Sequence, residues 1–223
     1  MQLFWTAPDA DAAAEQYLPC HACKIPTEAL QLLFAAMKQH PGWYESVETP
    51  TAQWKGHAEC PIDKDWRCKV SYRRHPLTFW TGCCRAHFRA CLALGLALAR
   101  KWERDENYAE RNMEFLTRLK LEELERQIEA TGFPADMPEK LSPDDWEARV
   151  RELMPEKKAG EWIAKTATRD VPTGCRFGYC AMDKKHLVRD TNGVMCVASY
   201  RRLYEAKRAD LANNPINRKR ARK

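Results

Sequence analysis

The chain has 223 residues, of which 44% are hydrophobic and 30% charged, with a formal charge of +6. That composition supports a buried core and excludes general disorder, and the length suits one domain with an appendage. The longest apolar run, Ala90 to Ala99, is too short for a bilayer span of about 20 residues, and the acidic start (Asp9, Asp11, Glu15) does not resemble a secretory signal.

Helical patterns dominate in chain order. Asp9 to Leu18 is Ala-rich after a Pro-Asp start. Pro26 to Gln39 places Leu30, Leu33, Phe34 and Met37 at a period of 3.6. Residues 42–74 hold Gly, Pro, Thr and scattered Trp without sustained period and read as an irregular insertion. From Pro76 to Trp102, steps of three or four link Trp80, Cys84, Phe88, Cys91, Gly95 and Leu98, which predicts one long central helix. Gly95 suits a close crossing by another helix. Asp105 to Thr131 predicts a charged helix stopped by Gly132 and Pro134. Ser142-Pro143-Asp144-Asp145 combines an N-cap, a first-position Pro and first-turn acids. Residues 105–156 form an acidic helical lobe. Lys157 to Gly193 is irregular again, with a short ribbon around Cys175 to Cys180, and a last helix covers Met195 to Ala212. The expectation is an all-α chain: a compact single domain over 1–212 around a long central helix, then a basic tail over 213–223.

The charge divides unevenly. Residues 201–223 carry +7, leaving −1 for residues 1–200. Lys55 to Arg89 is basic, whereas Asp105 to Glu156 is acidic. A basic stretch beside an acidic one suits a polyanion, because each phosphate contact releases counterions. A solvated tail on an ordinary surface explains the same count. No phosphate loop, Gly-x-Gly-x-x-Gly or Gly-x-Ser-x-Gly elbow occurs, which removes support for nucleotide-dependent and α/β-hydrolase chemistry.

Chemistry-bearing residues concentrate from Cys20 to Gln31. Pro26 is tolerable only in a first helical turn, so Lys24, Glu28 and Gln31 share one face of the helix that follows. His21 and Cys23 then lie at its positive end, which favours anions and lowers thiol and amine pKa values. Lys24 and Glu28 offer an amine with a carboxylate partner, and His21 a proton carrier. A surface ion pair at the start of a core helix is the plainer explanation. The ten cysteines point to thiols, metal ligation or catalysis rather than disulfides. His57, Cys60 and Cys68, with His75 as a fourth candidate, offer nitrogen and sulfur ligands for a structural Zn²⁺, although the sequence itself requires no cofactor. Cys84 and Cys91 fall on the buried stripe and read as core packing.

Two further motifs extend the pattern: His75-Pro76 followed by Trp80, and Tyr200-Arg201 followed by Tyr204 and Lys207. The order His-x-x-Lys-x-x-x-Glu-x-x-Gln, His-Pro-x-x-x-Trp, Tyr-Arg-x-x-Tyr resembles a group of phage proteins described as pyrimidine-dimer DNA glycosylase-like, related to the endonuclease V glycosylase/lyase. The resemblance covers residues 1–130 and 195–210 and leaves out 42–74, 135–190 and the tail. It implies a helical protein in the cytoplasm of a phage-infected bacterium that grips double-stranded DNA and acts at a pyrimidine. In that glycosylase an N-terminal amine attacks the sugar and a helix-borne Glu assists. Here the second residue is Gln2, and Lys24 takes the position of the catalytic Glu. The His21, Lys24 and Glu28 set matches a diverged branch of phage DNA-base metabolism, in which an amino acid or polyamine is joined to an activated thymine. On that footing His21, Lys24 and Glu28 are the expected catalytic set. Gln31, Arg73, Arg74, His75, Trp80, Arg85, Arg89, Tyr200, Arg201 and Tyr204 are the expected DNA contacts, with Trp80, Tyr200 and Tyr204 as aromatic walls for a flipped base. A non-catalytic nucleic-acid binder or host inhibitor acting through its tail is the alternative from a different class.

Overall fold

The computed structural model describes residues 3–48, 75–106, 113–153, 184–191 and 193–213, with 156, 159, 160, 163, 166, 167, 177 and 178 between them. The fold is all-α, as the periodicity predicts. His57, Cys60, Cys68, Arg73, Arg74, Trp54, Trp66, Cys175, Cys180 and the tail from 214 lie outside the described residues.

Helices α1 (Ala10–Glu15), α2 (Pro19–Ala22), α3 (Ile25–Met37) and α4 (Trp43–Ser46) come first. Asp9 caps α1 by accepting from the Ala12 N–H at 2.9 Å. Pro26 sits in the first turn of α3, with Lys24 at its N-cap, so a separate turn carries His21. The expected central helix is two helices: α5 (Pro76–Cys83) and α6 (Arg85–Glu106). Cys84 between them is extended, at φ −156° and ψ 162°. The cause is tertiary: the Pro138 and Glu139 carbonyls accept from the Arg85 and Ala86 N–H groups at 2.9 and 3.0 Å. Those bonds take over from the intrahelical ladder at the start of α6. His75 caps α5 through Nδ1, which accepts from the Leu77 N–H.

Helix α7 (Met113–Thr131) returns antiparallel along α6, and α8 (Pro143–Leu153) packs on α5. Two small antiparallel ribbons follow: β1 (Thr166–Ala167) with β2 (Phe177–Gly178), and β3 (Val188–Asp190) with β4 (Gly193–Met195). The second ribbon leads directly into the last helix, α9 (Cys196–Asn213).

The core lies where α3 crosses α6 and α7. Leu30, Leu33, Phe34, Phe88, Leu94, Leu98, Leu121 and Leu124 are buried there. Gly95 permits the crossing, since a Cβ at that position would meet the Ala29 Cβ at 3.1 Å and Leu121 at 3.4 Å. Cys83, Cys84 and Cys91 are buried in the core as well. Burial pushes the Cys83 and Cys91 thiols up to about 12, so they hold their protons at neutral pH and pack as small apolar groups.

Candidate functional site

The site is built on an aromatic cluster at the seam between the N-terminal segment and α9. Phe4 lies at its centre, with ring centroids of Tyr17, His21, Tyr200 and Tyr204 between 5.0 and 5.9 Å away. Tyr200 and Tyr204 are wholly buried, at 0% and 1% exposure. They are one helical turn apart on α9, so the same face that closes the core delivers both rings. Backbone ties fix the seam: Arg201 Nε donates to the Thr6 carbonyl at 2.7 Å, and Arg208 donates to that of Gln16 at 2.6 Å. Tyr17 Oη accepts from the Phe4 N–H at 2.6 Å, which anchors the extended entry segment on the turn before His21.

His21 is stacked on Phe4 with an interplanar angle of 24°. Its Nδ1 lies 2.7 Å from Tyr204 Oη, and its Nε2 lies 3.4 Å from Lys207 Nζ. A charged lysine can only donate, so Nε2 accepts and Nδ1 carries the proton that goes to Tyr204. Burial, then Lys207, then Lys24 hold the imidazole down at about 4, because each disfavours a further positive charge. His21 is therefore a neutral ring at physiological pH, half-buried and flanked by two lysines. Lys207 also stands 4.9 Å from the Phe4 ring centre, a cation on an aromatic face.

Lys24 is exposed at the N-cap of α3, and Glu28, one turn on, is half-buried. They form no ion pair among the described residues. Instead Glu28 Oε2 is buried without a hydrogen-bond partner among them, near enough to Tyr17 for its charge, second to burial, to help push that phenol up. Gln31 is half-buried one turn further along. His21, Lys24, Glu28 and Tyr204 thus gather in one region, as the sequence order suggests.

The other expected contacts lie elsewhere. Trp80 is wholly buried and stacked on His87 at 4.3 Å, so its ring offers no face to a base. Tyr200 and Tyr204 are core aromatics too, and the Tyr204 hydroxyl reaches His21. His75 serves as the α5 cap, and burial lowers its pKa. Arg85 and Arg89 share the carboxylate of Glu139 and lie over the Phe133 ring. They sit two residues or more from Cys91 on α6, whose Sγ faces the Ala29 carbonyl. At 100° per residue Arg89 and Arg85 stand about 160° and about 120° around α6 from Cys91, on the side away from α3.

Phe4 and Tyr17 were missed by sequence reasoning. The Tyr17–His21 spacing of four is a weak signal, and Phe4 lies in an irregular segment with no pattern at all. Lys207 was visible as the third member of the Tyr200, Tyr204, Lys207 face, at steps of four and three. Among the described residues no group of three or more His, Cys, Asp or Glu could hold a metal ion, and none of their helices is long and apolar enough to cross a membrane.

Comparisons with family models, curated proteins and solved structures return no match for the chain.

Proposed function

We propose that the chain is a phage-type DNA-processing enzyme acting on a pyrimidine base in duplex DNA, with His21 as its acid–base group. The observation that supports this reading is the convergence on one imidazole of Tyr204 and Lys207, 183 and 186 residues away in sequence, beside Lys24. A neutral imidazole accepts protons, and two flanking lysines attract phosphate. A DNA phosphate between Lys24 and Lys207 cancels the charges that hold His21 down, so its pKa rises in the complex. The same ring is then a stronger proton acceptor with DNA bound than in the free protein.

Two routes use this cluster. In the transfer route an incoming amine, from an amino acid or polyamine, attacks an activated thymine. The new C–N bond forms, the C–O bond to phosphate breaks, His21 takes the amine proton, and the lysines hold the departing phosphate. In the lyase route the Lys24 amine attacks C1′ of the sugar. The bond to the base breaks, the base leaves with the electron pair, and a Schiff base remains. Two cations around a neutral base suit the phosphate leaving group of the transfer route better. Borohydride treatment with abasic duplex DNA separates them. A covalent adduct lost in Lys24→Ala assigns the lyase route, and no adduct excludes it.

A non-catalytic nucleic-acid binder is the second reading, favoured by the engagement of both His21 nitrogens within the fold. It requires that His21→Gln and Lys24→Ala leave every activity intact, while removal of 216–223 abolishes binding.

A further inference from the structure

A concavity lies apart from the His21 cluster, between the N-terminal half of α6 and the C-terminal half of α7. It has a volume of about 430 Å³, within the range of small-molecule sites. Its two walls are helix faces of opposite charge. Arg85 and Arg89, one turn apart on α6, line one wall, and Glu125 and Glu129, one turn apart on α7, line the other. Leu92 and Ile128 lie between them and are buried. Gly132, at φ +79°, turns the chain so that Phe133 closes the end beneath the two guanidinium groups.

The charges of this cleft are not balanced across it. Arg85 and Arg89 share one carboxylate, Glu139, outside the cleft lining, and Arg85 Nε is buried without a hydrogen-bond partner among the described residues. The α6 wall therefore keeps an excess of positive charge. Glu125 and Glu129 make no ion pair among the described residues, and burial, then the Glu129 charge, raise the Glu125 carboxyl. Arg100, two turns further along α6, acts in the opposite sense on Glu125, and Glu122 reinforces Glu129. The α7 wall is left short of a cation.

We infer that this cleft binds a linear zwitterion: an ammonium on the Glu125–Glu129 wall, a carboxylate on the Arg85–Arg89 wall, and an apolar chain over Leu92 and Ile128. Packed helix axes stand about 8–10 Å apart, so charges on facing walls call for a ligand charged at opposite ends rather than on one carbon. The inference does not depend on the function proposed for the His21 cluster.

Isothermal titration of the full-length protein with 6-aminohexanoate, hexanoate and hexylamine tests it. The zwitterion is expected to bind about two- to fivefold more tightly than either single-charge analogue, the scale of one partly screened ion pair. Glu129→Gln removes its advantage over hexanoate, and Arg89→Gln its advantage over hexylamine. Both positions are exposed, and melting curves check that each variant folds. His21→Gln leaves the affinity unchanged. Equal affinities for the three probes, no binding up to ~10 mM, persistence of the advantage in both variants, or its loss in His21→Gln each overturns the assignment.

Discussion

His21 is neutral at physiological pH because burial and two lysines act in the same direction on its ring. The linkage has a definite sign. An unfolded histidine takes up its proton near pH 6.5, whereas this one holds out to about 4. Between those values the unfolded chain binds the additional proton, so stability falls as pH drops through that window and is unaffected by His21 above it. The loss is on the order of 2 kcal/mol once solvent screening of a half-buried group is allowed for. Urea unfolding at pH 7 and pH 4.5, compared between the wild type and His21→Gln, checks it: the variant should lose less stability on acidification. Lys207→Met should raise the His21 pKa in an NMR titration by removing the stronger of the two flanking charges. The stretch itself is legible in the sequence, because the His-x-x-Lys-x-x-x-Glu spacing marks it. The depressed pKa of His21 is not, since Phe4 and Lys207 reach the ring only through the tertiary fold.

At the scale of elements, two positions carry opposite lessons. Gly95 was marked by its place within an apolar helical stripe, and the crossing with α3 depends on it. Gly95→Leu forces side-chain atoms into Ala29 and Leu121 and should cost about 1–3 kcal/mol, the usual penalty of overpacking a core, read as a lower thermal midpoint. Gly82, by contrast, meets only the end of the flexible Gln39 side chain at its closest contact, so Gly82→Ala should be far milder. The Ser142 cap was also readable from sequence, and its hydroxyl accepts from the Asp145 N–H at 3.1 Å. Ser142→Ala should cost about 1 kcal/mol. The break at Cys84 was not readable. The apolar period runs straight through it, and the interrupting bonds come from carbonyls more than fifty residues later. A local pattern reports which face is buried, not whether the backbone ladder is continuous.

Across the whole molecule, the net charge of +6 resolves into regions with different partners. Exposed basic residues of α9, including Arg201, Arg202 and Arg208, face outward near the His21 cluster, while Arg85 and Arg89 are engaged with Glu139 on another side. The sequence groups Arg85, Arg89 and Arg201 together as expected DNA contacts, and nothing in linear order tells which helix faces they occupy. The tail holds Arg218, Lys219, Arg220, Arg222 and Lys223. Deleting residues 214–223 should reduce the salt slope of DNA binding by about 3–4 units, measured by fluorescence anisotropy across a salt series. His21→Gln should leave that slope unchanged, because it removes no cation.

The proposed role of the His21 cluster is chemistry on a DNA base. Nucleoside mass spectrometry tests it most directly, on normal, damaged and hypermodified duplex DNA incubated with the wild type and with His21→Gln, each with and without an added amine. The expected result is an altered or missing pyrimidine nucleoside on at least one substrate with the wild type, and none with the variant. Identical, unaltered profiles on every substrate would contradict the claim.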